Sequence, residues 1–328
     1  MSARLARCVV SFCALVGGFA PGTAVGHQPP AGERWLFVSD EPGNRLVVVS
    51  VKTQRVVGTI HVGRRPRGMA LSPDGNRVFV ALGNEDAVAV VDVASRHVVA
   101  KLRVGKDPEQ VAVSPDAGTV YVSNEEIAMA TAVDVLTKQQ RFRAPVGKEP
   151  EGVAVSPDGR TVWVTGESDS SVTVLDAADG HRLTTLRVGA RPRFVVFSRD
   201  AARAFVSAEN GGTVTYIDAR ADSVLGAMSI GDRTSKPTGL ALSPDEKTLY
   251  LANGRSNEVA TIDVSARAVM STVAVGERPW GIALSADGGT LYTANGRSGS
   301  VSVVDVKANR VGATVAVGGR PYSVLLVP

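Results

Sequence analysis

Val62-Gly-Arg-Arg-Pro-Arg-Gly-Met-Ala-Leu-Ser-Pro-Asp-Gly75 is the phrase whose recurrence decides the fold. Its first proline, Pro66, returns as Pro108, Pro150, Pro192, Pro237, Pro279 and Pro321, in steps of 42, 42, 42, 45, 42 and 42 residues. A strand-rich period in the low forties predicts a β-propeller with one four-stranded blade per repeat. Seven repeats predict an all-β, seven-bladed ring. Although 328 residues would suffice for two average domains, the repeat makes one.

The unit around this phrase reads as an antiparallel meander. Gly68–Leu71 is a short inner run. Ser72-Pro-Asp-Gly75 then carries Ser, Pro and Gly where a type I turn favours them. Arg77–Ala81, Ala87–Val93 and Val98–Val104 supply three more strands. The second strand holds one aromatic in every repeat: Phe37, Phe79, Tyr121, Trp163, Phe205, Tyr250 and Tyr292. A ring at the same depth in each unit predicts packing between blades. The third strand ends on Asp92, Asp134, Asp176, Asp218, Asp263 and Asp305, acceptors for turn N–H groups. Gly68 and Ala70, Gly152 and Ala154, Gly239 and Ala241, and Gly281 and Ala283 keep the inner strands thin where blades converge.

The ends predict the seam. Residues 35–41, 45–51 and 55–62 give three strands with no inner strand before them, and 322–327 give an inner strand with nothing after it. Joined, they complete the seventh blade of a domain over 35–328 and remove two sheet edges.

The first 26 residues have another character. Arg4 and Arg7 precede an apolar run from Cys8 to Ala20, then Pro21, Gly22 and Ala24-Val25-Gly26. This is the pattern of a secretory signal peptide cut after Gly26, with 27–34 as a flexible leader and a periplasmic or secreted mature protein. The run is shorter than the ~20 residues of a spanning helix. Both cysteines lie within it, so the mature chain would have no disulfide, thiolate metal site or Cys nucleophile. Removing it takes away two arginines and leaves 34 basic against 32 acidic residues. No Lys/Arg run predicts nucleic-acid binding.

The units resemble the YVTN-type propeller repeat. Val120-Tyr-Val-Ser-Asn124 and Leu291-Tyr-Thr-Ala-Asn295 are near its namesake. Val146-Gly147 followed by Pro150-Glu-Gly-Val-Ala-Val-Ser-Pro-Asp-Gly159 is close to its consensus. Such repeats serve many roles. The succession Asp107-Pro-Glu109, Glu149-Pro-Glu151, Arg191-Pro-Arg-Phe194, Glu209-Asn-Gly-Gly-Thr213, Lys236-Pro-Thr-Gly239, Arg278-Pro-Trp280 and Asn295-Gly296 resembles the seven-repeat propeller family associated with PQQ-dependent alcohol catabolism. Arg199 and Ala286 depart from it, at turn positions usually held by Pro. The resemblance implies an exported, non-catalytic accessory to periplasmic alcohol oxidation. Its partner would be a quinoprotein alcohol dehydrogenase, a cytochrome c or a transporter component, and association with PQQ is part of the same implication. A monomer is expected.

Loops from each fourth strand to the next inner strand, and those between second and third strands, should meet at one end of the channel. They carry Asp107, Glu109, Glu149, Glu151 and Glu209 on one side, with Glu125, Glu126, Glu167 and Asp169 nearby. Arg65, Arg67, Arg191, Arg193, Arg278 and Arg320 face them, with Trp280 and Tyr322 directly after their prolines and Arg255 and Arg297 in neighbouring loops. The functional expectation is a bipolar mouth in which arginine forks take carboxylates and Trp or Tyr stacks on a flat ligand. The plain alternative is solvated Arg–Glu pairing, worth ~0–1 kcal/mol a pair. A calcium site in the acidic arc is a third option.

His27, His61, His97 and His181 lie outside these loops and lack metal-ligand spacing. There is no Gly-x-Ser-x-Gly elbow. Trp35, Trp163 and Trp280 are too few for the Trp-rich repeats of quinoprotein dehydrogenases. Two other functions remain open. One is a lactonase-like hydrolase using Glu151, Glu209 and Arg193; the other, ranked below it, is a cell-surface adhesion module.

Overall fold

The computed structural model describes residues 34–231 and 234–328. The signal-peptide reading, and all of the leader except Arg34, fall outside the described residues. Seven four-stranded antiparallel sheets follow one another around an axis. Blade 2 shows the unit: Pro66–Leu71, Arg77–Leu82, Ala87–Asp92 and His97–Arg103, from axis to periphery. Blades 3 to 7 repeat it with inner strands starting at Pro108, Pro150, Pro192, Pro237 and Pro279. Blade 1 is the composite: Pro321–Val327 pairs antiparallel with Trp35–Asp40, which leads into Arg45–Ser50 and Arg55–His61. Its register sets Phe37 against Leu325 and Asp40 against Pro321.

Turn chemistry sets the meander. In blade 2 the Gly75 N–H donates to the Ser72 carbonyl at 2.8 Å, and the Ser72 hydroxyl donates to Asp74 while accepting from the Arg77 N–H. The Ser–Asp pair recurs as Ser114–Asp116, Ser156–Asp158, Ser198–Asp200, Ser243–Asp245 and Ser285–Asp287. The third-strand aspartates accept turn N–H groups: Asp92 from Ser95 at 2.8 Å, Asp263 from Ala266 at 2.6 Å.

The core lies between blades rather than within any one. Phe79 packs with Val111, Val120 and Val122 of blade 3, Trp163 with Ala204 and Val206 of blade 5, and Tyr292 with Val38 and Val324 across the seam. All seven second-strand rings are buried, each stabilising the ring by about 1.5–3 kcal/mol. Bulk therefore sits away from the axis. A Cβ on Gly239 would stand 2.5 Å from the Trp280 carbonyl, and one on Gly152 would overlap the carbonyl of Arg193. These glycines let neighbouring inner strands approach.

Candidate functional site

Three sequence positions per blade build one end of the channel. The first precedes the proline: Arg65, Asp107, Glu149, Arg191, Lys236, Arg278 and Arg320. A following proline disfavours the right-handed helical region, and six of the seven take left-handed backbone, φ 44° at Asp107 to 59° at Lys236. The second follows the proline: Arg67, Glu109, Glu151, Arg193, Thr238, Trp280 and Tyr322. The third follows the second strand: Glu41, Gly83, Glu125, Glu167, Glu209, Gly254 and Gly296. In every blade the N–H of the third position donates to the carbonyl of the first, from 2.8 Å (Glu209 to Arg191) to 3.3 Å (Glu41 to Arg320). These seven bonds fix the two sets of loops at the same end.

At the second level the side chains cross the axis. Glu151 of blade 4 is 2% exposed. It accepts from Arg67 of blade 2 at 3.4 Å and from the Tyr322 hydroxyl of blade 1, and pairs with Arg193 of blade 5 at 3.1 Å. Arg193, 3% exposed, also donates to Glu209 at 2.7 Å and 2.5 Å and to Glu167. On the other side Glu109 is fully buried and receives Arg65 at 2.8 Å and Arg67. Glu41 receives Arg65 at 3.2 Å and Arg67 at 3.0 Å. The pairing is thus buried rather than solvated, and it knits a plug across the channel. In such a plug an unpaired charge is costly.

The plug separates the acids electrostatically. Burial pushes the Glu151 carboxyl up, but Arg193 and Arg67 outweigh it and hold the group below the usual range. Glu209 behaves alike, with Arg193 overcoming burial. Burial, then the nearby Glu151 charge, drives Glu109 well above its ordinary value. Burial lifts Glu167 to about 7 against the pull of Arg193. Burial also raises Tyr322 strongly, so its hydroxyl stays a donor to Glu151.

Above the plug lies a hollow of about 660 Å³. Trp280 and Tyr322 form its apolar wall, ring centroids 5.4 Å apart. Arg67 Cζ stands 4.1 Å from the centre of the Tyr322 ring, and Arg193 Cζ and Arg278 Cζ 4.8 Å and 5.0 Å from that of Trp280. Arg278 spends one nitrogen on Glu209 at 3.0 Å. Arg297 has no side-chain partner among the described residues, and Arg320 only a long 3.9 Å contact with Glu41.

Of the sequence-predicted mouth, Arg65, Arg67, Glu151, Arg191, Arg193, Arg278, Trp280, Arg320 and Tyr322 line this hollow. Asp107, Glu109 and Glu209 stand behind it as partners of those arginines. Glu149 is not brought in: it is exposed and accepts from Ser168 at 2.5 Å. Glu41, Glu125 and Glu167 belong to the lining, and of these sequence reading had missed Glu41. Aligning the residue after each second strand would have found it, as that column holds only Glu or Gly. Asp107, Glu109 and Glu125 have carboxylate oxygens within 4.8 Å of one another. Arg65 already bonds the first two, so the protein's own cation fills the place of calcium and the site does not fit the ion.

Residues 181–310 match the family described as Lactonase, 7-bladed beta-propeller. The matched stretch spans under half of the chain. It carries Arg191, Arg193, Glu209, Arg278 and Trp280 but stops short of Arg67, Glu109, Glu151 and Tyr322. Among solved structures the chain is similar to one described as Kuenenia stuttgartiensis hydrazine synthase, 24% identical over 83% of this chain and 92% of that one, TM-score 0.75. It is also similar to a functionally unknown protein from Desulfotomaculum acetoxidans DSM 771, 16% identical over 89% and 98%, TM-score 0.79. Both likenesses show the fold alone. No curated protein matches the chain.

Proposed function

We propose that this protein is an exported, non-catalytic binding propeller whose mouth takes an anionic molecule with a flat apolar part. One observation carries the reading: Glu41, Glu109, Glu151, Glu167 and Glu209 are each paired with an arginine, while around the hollow Arg297 has no side-chain partner among the described residues, Arg320 has only a 3.9 Å contact and Arg278 commits one nitrogen, to Glu209, beside Trp280. Glu151 and Glu209 are buried against guanidinium groups that occupy their oxygens and lower their basicity, which disfavours them as general bases. Guanidinium forks beside an indole suit an aromatic polycarboxylate. PQQ has that chemistry, and the repeat order quoted above supports a role beside PQQ-dependent alcohol oxidation, with a quinoprotein dehydrogenase, a cytochrome c or a transporter component as partner.

The test is a titration of the protein with PQQ, read by indole fluorescence against a Trp280→Phe control. Saturable quenching should weaken about tenfold or more in Arg278→Ser/Arg297→Ser, a loss of about 1.4 kcal/mol. Equal quenching in the parent and the arginine variant would refute the site.

A second reading, a lactonase-like hydrolase, is favoured by the family match over 181–310. It requires lactone hydrolysis that disappears in Glu209→Gln while the fold survives.

A further inference from the structure

A second hollow shares two lining arginines with the mouth. This groove, about 560 Å³, runs over blades 6 and 7 between Lys236, Arg255, Asn257, Arg278, Arg297 and the lone acid Glu277. Arg278 and Arg297 line both hollows. Lys236, Arg255, Arg278, Arg297 and Arg320 form a strip of five cations on three adjacent blades. Arg255 and Arg297 are exposed and have no side-chain partner among the described residues. Lys236 is held by a neutral group, donating to Asn210 Oδ1 at 2.6 Å. Asn257 positions the strip by accepting from the Arg278 N–H at 2.9 Å.

The strip is bare because of the third-position column. Blades 1, 3, 4 and 5 place Glu41, Glu125, Glu167 and Glu209 there, whereas blades 6 and 7 place Gly254 and Gly296. Arg278 lies across Gly254, whose Cβ would stand 3.5 Å from its Cδ. The next residue is Arg255 in blade 6 and Arg297 in blade 7. Two successive blades thus replace an acid by a glycine and add an arginine, which leaves Arg255 and Arg297 without a side-chain partner among the described residues along this trough.

We propose that this trough docks an extended acidic segment of a protein partner, with alternate Asp or Glu side chains facing the cations from Arg320 and Arg297 through Arg278 to Arg255 and Lys236. The inference rests on the reading of the mouth as a binding site only at the arginines the two hollows share. A single small carboxylate engages one hollow. Two hollows that share guanidinium groups favour a polyanion, and an extended segment presents a carboxylate on one face about every 6.6 Å. Opposite charge on the partner would also speed its docking.

The test uses fluorescently labelled hexaglutamate and hexalysine peptides, followed by anisotropy with the full chain. Hexaglutamate should bind saturably, at least tenfold more weakly in Lys236→Ser/Arg255→Ser, and more weakly still as salt rises. Hexalysine should not bind. Arg255→Lys in place of Arg255→Ser should restore part of the affinity, which a folding defect would not allow. Equal hexaglutamate affinity in parent and variant, no saturable binding, or tighter binding of a single-stranded oligonucleotide would overturn the proposal. Lys236 and Arg255 lie outside the mouth hollow, so PQQ quenching should be unchanged in the groove variant. Loss of PQQ quenching with hexaglutamate binding intact would sink the small-ligand reading and leave the trough standing.

Discussion

Replacing Arg193 by Met tests the plug directly. The guanidinium is 3% exposed and serves three buried carboxylates, Glu151, Glu167 and Glu209. Met keeps much of the side-chain volume and removes the charge. Each acid retains another cation: Arg67 for Glu151, Arg191 for Glu167 and Arg278 for Glu209. The cost should therefore be that of breaking one buried ion-pair centre, about 3–5 kcal/mol. At an unfolding entropy of about 2.1 cal/mol/K per residue, a ring of this size loses about 5–8 °C of melting temperature for that cost. The assay is thermal unfolding near pH 8 and again near pH 4.5. The gap between variant and parent should narrow at the lower pH, because the carboxyls that have lost Arg193 can then take protons more readily. An Arg160→Ala control removes an exposed arginine 3.9 Å from Asp158 and should stay within about 0.5 kcal/mol of the parent. A loss under ~2 °C near pH 8, or the same loss at both pH values, would refute the buried-centre reasoning.

Glu167, raised from 4.5 to about 7, should stabilise the ring below its unfolded value and lose that contribution as pH rises through about 7; Glu209, held low by Arg193, acts in the opposite sense below 4.5. Melting temperature should accordingly fall from about pH 5 to about pH 8, and Glu167→Gln should flatten that limb; an unchanged slope counts against the assignment. Gly152→Ala places a Cβ on the Arg193 carbonyl, whereas a Cβ on Gly58 meets nothing within 4 Å. The first should cost about 1–3 kcal/mol or more by urea denaturation and the second should be near neutral, so equal midpoints would refute the close-approach argument. Deleting 321–328 removes the inner strand of blade 1 and its pairing with Trp35–Asp40. Limited proteolysis should then cut within blade 1 far faster than in the full chain, and unchanged protection would argue against the seam.

How far the sequence could be read differs by feature, and the differences have physical causes. The proline period and the Ser-Pro-Asp-Gly turns are local signals, so blade count and meander were both legible. So were the seam and the aromatic ring of each blade, because a period repeats the environment along with the residue. The acids and arginines of the mouth were also visible as types, and most of them converge. What local reading could not supply was their partner list. Arg193 meets Glu151 of the preceding blade and Glu209 of its own, and Tyr322 reaches Glu151 three blades away. Glu149 reads like Glu151 but is exposed to solvent, because one precedes its proline and the other follows it.

The sequence by itself determined a seven-bladed ring, its closure through both ends, and a mouth rich in opposite charges. These follow from period, turn residues and strand content, which act over a few residues. Only the tertiary structure decided which charges cancel. Closing the ring brings second-position side chains across the axis and buries them, so that Glu109, Glu151 and Glu209 become a neutralised plug while Arg255 and Arg297 stay bare on the rim. Burial and distance across the channel set that outcome, and both come into being only when the ring closes.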